Sequence, residues 1–247
     1  MKAYVINLPQ ATARREHMRQ LLRSTPFTDV EFINGIDVRA ISETELCHIF
    51  DFEMYGRVHL VPPSRTEVGC ALAHRKCWER IADSGMNAFI LEDDIELEGA
   101  LDNYVDFASD WLDSPSPRVY NLTRNFYYFS LRPTDLRRPV RGYQCYNAWC
   151  YGMNTAAAKV LLSRPPHTLS DEWGYFRRWG IDVRVPVPHP VFIPSDNISS
   201  IGEHYCDRFD RDGARRSVQP GMPHFDYLPN LMLFILSRLG ICYKYKF

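Results

Sequence analysis

A chain of 247 residues with 45% apolar side chains is long enough for one large α/β domain or two small ones, and it can bury an ordinary core. Its formal net charge of −1 supplies no basic surface for a polyanion, which argues against nucleic acid as the main partner. Seven cysteines lack paired metal-ligand spacing, the opening apolar run from Ala3 to Leu8 is too short for a secretory h-region, and no run approaches the roughly 20 apolar residues that span a bilayer. Together they predict a reducing, cytosolic setting.

Ala3 to Leu8 reads as a first strand and Thr12 to Arg23 as a helix with Met18, Leu21 and Leu22 on one face, stopped by Pro26. Arg14 and Arg15 lie near its start, where the macrodipole disfavours cations. Either an anion in the preceding loop offsets that cost, or the long side chains snorkel into water. Val30 to Ile33 is a second strand, followed by an Asn34-Gly35 turn with Asp37 just beyond. Ser42 to Phe52 carries a weak helical pattern, and Tyr55 to Pro63 gives no firm reading. Ser64 and Glu67 form a capping box that predicts a helix to about Asp83, ended by Gly85. Cys70, His74, Cys77 and Ile81 share one side of it. A zinc site there lacks a fourth ligand, so His74 is expected as a hydrogen-bonded residue beneath the next strand end, with Trp78 and Ile81 packing the helix onto the sheet.

That strand is the centre of the pattern. Ala88 to Leu91 is an uninterrupted apolar run, as in a strand buried on both faces, and Glu92, Asp93 and Asp94 follow at once. Adjacent acids repel unless a cation neutralises them or water solvates them, so these residues mark either a divalent-metal site at the strand's carboxyl end or a solvated turn. Leu101 to Leu112 repeats at helical spacing, and Arg118 to Leu122 resumes as a strand, predicting a right-handed β-α-β unit with Asn121 to Asn125 near the same crevice edge. Phe126 to Phe129 is either an exposed aromatic stretch suited to stacking or a buried strand.

Tyr143 to Met153 is extended, and Asn154 caps a short helix from Thr155 to Ser163. Ser170-Asp171-Glu172 turns into another short helix, its carboxylates serving either as ordinary caps or as free acids. Val183 to Val191 carries three prolines, which predicts an edge strand or a connector. Acids and arginines alternate from Asp207 to Arg216 as a self-neutralised loop. Leu228 to Phe247 combines an apolar block with Arg238, Lys244 and Lys246, and either lies in a membrane interface as a helix or packs on the core.

Several pieces together resemble glycosyltransferase family 25, the lipooligosaccharide-type galactosyltransferases. They are Tyr4-Val5-Ile6-Asn7-Leu8 with Arg14-Arg15 downstream, Glu67-Val68-Gly69-Cys70-Ala71-Leu72-Ala73-His74, and Phe89-Ile90-Leu91-Glu92-Asp93-Asp94, with weaker echoes at Ala157 to Leu162 and Ser195 to Ser200. The resemblance implies an α/β fold of the glycosyltransferase A type, with a Rossmann-like, mostly parallel central sheet flanked by helices. It further implies a UDP-sugar donor, most readily UDP-galactose, a Mn²⁺ or Mg²⁺ ion, and transfer with inversion. The glycosyltransferase domain would span residues 1–227, its nucleotide part about 1–125 and its acceptor part about 126–227, with 228–247 as the tail. The sequence departs from the family in three places. Gln10 stands where an arginine is usual, Ala73 where serine is commoner, and Tyr146-Asn147-Ala148-Trp149 replaces a Gly-Thr-containing strand.

On this resemblance Asp94 binds the metal and Glu92 or Asp93 faces the nucleoside. Asn7, Leu8 and Arg14 frame the nucleotide with Asp37, and His204, ahead of His189, completes the metal shell. An inverting displacement needs a base opposite the leaving group, and Asp171 and Glu172 are the candidates. The acceptor would be a lipooligosaccharide or other glycan or glycolipid, met at the inner face of a bacterial membrane with 228–247 in peripheral contact. Two rivals are a catalytically silent sugar-nucleotide-binding protein on the same fold and a metal-dependent phosphohydrolase.

Overall fold

A computed structural model describes residues 1–57, 59, 62–123, 126–130, 139–141, 144–145, 147–194, 232, 235–241 and 243–246. The sheet at its centre grows from alternation. In β1 (Lys2–Asn7) and β3 (Ala88–Glu92) successive side chains leave opposite faces, and both faces are apolar. Ala3, Val5, Phe89 and Leu91 pack with Met18 and Leu22 of α1 (Thr12–Leu22) and with Val105, Ala108 and Leu112 of α5 (Asp102–Leu112). Tyr4 and Ile90 face the other way, onto Trp78 and Ile81 of α4 (Arg65–Ser84) and onto Ala157, Ala158 and Leu161 of α6 (Thr155–Leu162). Two cores therefore sandwich one sheet, which is the three-layer α/β arrangement.

The sheet has seven strands in the order β2-β1-β3-β9-β5-β10-β7, the others being β2 (Asp29–Asn34), β9 (Cys150–Met153), β5 (Arg118–Asn121), β10 (Asp182–Val185) and β7 (Val140–Arg141). β1 pairs in parallel with both β2 and β3, and β5 pairs in parallel with β10. β9 runs antiparallel to β3 and to β5, and β7 antiparallel to β10. The sheet is thus mostly parallel, as the family resemblance implies. One detail differs from the expected β-α-β unit: β3 and β5 do run the same way, but β9 lies between them. A fully buried Cys150-Tyr151-Gly152-Met153 strand fills that slot, and Gly152 leaves room for the Phe89 ring, whose nearest atom would lie 3.0 Å from an added Cβ. β10 also differs from the expected edge strand. Its prolines begin only after Val185, so its ladder donors are intact and it sits inside the sheet between β5 and β7.

α4 has the expected capping box, with Ser64 Oγ accepting from the Glu67 amide and Glu67 reaching back to the Ser64 amide, and Gly85 closes it at φ 70°. Ser42 and Glu45 make a second box at α2 (Glu43–Ile49), where the sequence pattern is weak. α2 and α3 (Phe52–Gly56) pack against α4 in a small satellite core of Leu46, Phe50, Tyr55, Val68 and Leu72. A two-stranded ribbon joins β4 (Glu96–Leu97) to β11 (Val191–Phe192). β6 (Phe126–Ser130), the strand alternative for the aromatic stretch, lies between β8 (Gln144–Cys145) and β12 (Tyr243–Lys246). The expected C-terminal helix is therefore only partly present: residues 235–238 are helical, but the chain then pairs as β12 with β6, because Tyr243 to Lys246 has the aromatic alternation of a strand. Among the described residues no helix is long and apolar enough to cross a membrane.

Candidate active site

The carboxyl ends of β1, β2 and β3 lie side by side, since Ile6 registers with Glu92 and Asn7 with Asn34. Over these ends opens a cavity of about 330 Å³, floored by Glu92, Asp93 and Asp94 and rimmed by Leu8, Gln10, Arg14 and Asp37. The acids therefore share one cleft, as the metal reading requires and a solvated turn does not.

Each acid has its own surroundings. Asp93 is 7% exposed; Asn7 Nδ2 donates to its Oδ2 at 2.6 Å and Arg14 reaches its Oδ1 at 2.9 Å. Burial nevertheless raises its pKa against those two partners. Arg14 is thus neither waiting for a loop anion nor snorkelling; its anion is Asp93. Arg15 and Arg19 lie over the Phe32 ring instead, at 4.4 and 5.5 Å. Glu92 lies beside His74, whose Nε2 is 3.4 Å from Oε1. This is the expected place of His74, buried beneath the strand end. Asp94 is pushed up to about 7, first by burial and then by the charges of Glu92 and Asp93, which Arg14 only partly offsets. Among the described residues, the neighbouring cations leave part of this charge unmatched. Hard oxygen donors grouped in this way would suit Mn²⁺ or Mg²⁺.

The walls come from two loops and one helix. Asp37 is held below the usual carboxylate range, to about 2, first by the Arg39 side chain, and it also accepts from Gln10 Nε2 at 3.0 Å. Gln10, one of the departures from the family, thereby ties the loop after β1 to the loop after β2. Thr66, Gly69, Cys70 and Ala73 of α4 form the opposite wall. Their small side chains recur at helical spacing, a signal that the sequence reading passed over. At Gly69 the approach is so close that an added Cβ would lie 2.8 Å from the Ile36 carbonyl oxygen and 2.8 Å from Val38 Cγ1.

Asp171 and Glu172 precede α7 (Trp173–Arg178), but neither side chain caps it, which removes the capping alternative. They also part company. Glu172 Oε1 meets His59 Nε2 at 2.9 Å, and the His59 ring stacks on Tyr55 with centroids 4.1 Å apart. Asp171 accepts the Asn147 amide, and its pKa is raised by burial, then by Glu172, and further by Glu92. Cys70 in the cleft wall feels the Asp171 charge in turn. Asp171 thus lies within electrostatic reach of Glu92 and Cys70 without itself lining the cavity, and Glu172 pairs with His59. Asn147 has φ 69°, unusual for a residue with a side chain, and its carbonyl accepts from Asn121 Nδ2, Thr123 Oγ1 and Trp173 Nε1 at 3.1, 3.3 and 2.8 Å. The altered segment 146–149 is thus the support of Asp171. Nothing in the sequence pairs His59 with Glu172 or Asn147 with Asp171. His204 lies outside the described residues.

A crevice at the carboxyl ends of parallel strands, with an acidic floor, places the chain in the class of open-sheet α/β proteins that bind ligands at that edge. The family model for glycosyltransferase family 25 (LPS biosynthesis protein) matches residues 1–131, just over half of the chain, and the chain belongs to that family. A protein of Acanthamoeba polyphaga mimivirus named as a glycosyltransferase is 34% identical over 102 residues, 40% of this chain and 30% of that protein. A glycosyltransferase 25 family member of Aedes aegypti is 33% identical over 99 residues, 38% of this chain and 16% of its own length. The procollagen galactosyltransferase 1 of Danio rerio is 30% identical over 101 residues, 39% of this chain and 17% of its own. The chain thus matches less than a third of the length of each. Among solved structures, a Bacillus anthracis chain named as a glucose-1-phosphate thymidylyltransferase, in complex with a sucrose, is similar at TM-score 0.42 and 10% identity, over 87% of this chain and 98% of that one.

Proposed function

We propose that this chain is an inverting, metal-dependent glycosyltransferase that moves galactose from UDP-galactose onto a hydroxyl of a lipooligosaccharide or other cell-surface glycan. The observation that carries the reading is the convergence of Glu92, Asp93 and Asp94 on one cavity with their charge under-neutralised. Family membership supports a sugar-nucleotide donor, and the galactosyltransferase name of one relative supports galactose.

Asp94 would hold the cation, as the last acid of the family's acidic motif, with His204 as its proposed second ligand; Asp93 meets Asn7 and Arg14, and Glu92 lies beside His74. When bound, a divalent cation neutralises the charge that collects on the departing diphosphate. Glu92 and Asp93 face the nucleoside, while Asn7 holds Asp93 in place from below. Leu8, Arg14 and Asp37 frame the nucleotide from the loops after β1 and β2. Asp171 takes the proton of the acceptor hydroxyl as its oxygen bonds to the anomeric carbon and the bond from that carbon to the diphosphate breaks. Its raised pKa suits a base, since a carboxylate held nearer neutrality accepts a proton more readily. Glu172, turned onto His59, is the weaker candidate.

The test is thermal unfolding with UDP and UDP-galactose, with and without Mn²⁺. Wild type is expected to gain stability from the nucleotide only with the metal, by mass action. Asp94→Ala should keep a cooperative melt yet lose that gain and its turnover. Equal stabilisation and turnover in Asp94→Ala would overturn the metal assignment.

A further inference from the structure

Behind Glu92 a line of hydrogen bonds runs into the dry interior. Trp78 Nε1 donates to the Tyr151 hydroxyl over 2.8 Å, that hydroxyl lies 2.9 Å from His74 Nδ1, and His74 Nε2 lies 3.4 Å from Glu92 Oε1. His74 and Tyr151 are fully buried and Trp78 nearly so. The direction of this line follows from the one group in it that has no choice. An indole N–H only donates, so it occupies a lone pair of the Tyr151 oxygen, and the phenol proton must find its own acceptor. Among the described residues His74 Nδ1 is the acceptor within reach. If Nδ1 accepts, the neutral imidazole carries its proton on Nε2, facing the Glu92 carboxylate, and every group in the line is satisfied. The other tautomer would aim two donors at the Tyr151 oxygen, strand the phenol proton and set a lone pair against a carboxylate.

The same geometry bears on a rival use of these atoms. The Cys70 sulfur, a ring nitrogen of His74 and a carboxylate oxygen of Glu92 all lie within 4.8 Å of one another, close enough to hold a soft cation if Nε2, the nitrogen facing Glu92, offers a lone pair. A metal-bound histidine donates its other ring N–H outward, and here that needs the tautomer the indole opposes.

We propose that Trp78 and Tyr151 are positioning residues that fix His74 as the Nε2–H tautomer, so that His74 pins one Glu92 oxygen and turns the other toward the donor, and the Cys70–His74–Glu92 cluster takes no metal. The role given to Glu92 rests on the glycosyltransferase reading; the tautomer and the metal exclusion do not.

Three measurements on the full chain test it. Long-range ¹⁵N–¹H correlation, with His74 assigned through its contacts to Trp78 and Tyr151, should show a proton on Nε2 and none on Nδ1. Titration with Co²⁺ alone should give no thiolate-to-cobalt charge-transfer band that Cys70→Ser removes. His74→Gln keeps an amide donor for Glu92, and His74→Met fills similar space without one. Each variant is scored once its cooperative melt is verified. The glutamine variant should keep the donor KM within about 3-fold, and the methionine variant should raise it ~10-fold or more with a smaller change in kcat. A proton on Nδ1, or a Cys70-dependent cobalt band, overturns the tautomer and the metal exclusion even if both variants misfold. Equal KM in the two variants overturns the positioning of Glu92. A correct tautomer in a chain that neither binds nor turns over any UDP-sugar would instead sink the glycosyltransferase reading alone.

Discussion

The two sides of the cleft are built differently. On the proposed donor side every described group comes from the first 94 residues, and each loop is braced by a neighbour close in the fold: Asn7 and Arg14 on Asp93, Gln10 and Arg39 on Asp37, His74 on Glu92. On the far side Asp171 depends on Asn147, Asn147 on Asn121, Thr123 and Trp173, and Glu172 on His59. One side is a set of strand ends brought together by a parallel sheet, and the other is a lattice of single contacts between distant segments. On the proposed function, the contrast separates binding from chemistry. A change on the first side should move donor affinity or stability, and a change on the second should move turnover.

The largest expected effect lies on the far side. Asp171→Asn keeps the size of the side chain but not its basicity, and should lower kcat by about 10²–10⁴-fold with the affinity for UDP little changed. Glu172→Gln should lower kcat by no more than about 10-fold. Steady-state kinetics with titration calorimetry reads both, and an equal loss in the two would erase the distinction drawn between them. On the near side, Gly69→Ala pushes a methyl group into the Ile36 carbonyl and Val38 and should destabilise the chain by about 1–3 kcal/mol, read as a lower urea midpoint at unchanged slope. An unshifted midpoint would show that this wall yields.

The smallest effect concerns Asp94, and its sign follows from linkage. Its folded pKa of about 7 lies above the ordinary aspartate value of 3.8, so the folded chain binds the extra proton between those values and loses stability as pH rises through that window. Without metal, Asp94→Asn should therefore stabilise the chain at pH 8, on the order of 1–2 kcal/mol after solvent screening. The advantage should shrink as pH falls below about 7 and vanish near 4. Melting curves in chelator across that range check it, and a variant less stable than wild type at pH 8 would mean that the acidic floor is already neutralised.

The same contrast explains what was legible in the chain. β1, α1, α4 and β3 were readable because their signals are local: an apolar run, a capping box, a glycine stop, and acids set directly after a strand. The donor-side candidates follow from the same locality, and Leu8, Arg14, Asp37, Glu92, Asp93 and Asp94 do line one cavity, with Asn7 beneath it. The insertion of β9 between β3 and β5 was not readable, since strand order is set by pairings between segments about 30 to 60 residues apart. Nor was the split between Asp171 and Glu172. Adjacent in sequence, they part because one meets an amide at position 147 and the other an imidazole at position 59. Ser170 to Glu172 reads as a helix cap by composition, and only long-range contacts redirect those carboxylates.

The carbonyl of Asn147 gathers protons from the end of β5, from the bridge residue after it and from the first turn of α7. One oxygen is in effect the knot in which three threads meet. A tug on any of them is felt by the other two, and by the amide on the same residue that holds Asp171. On the proposed function, an acceptor that leans on this wall would shift it as a unit, and the Asp171 carboxylate with it.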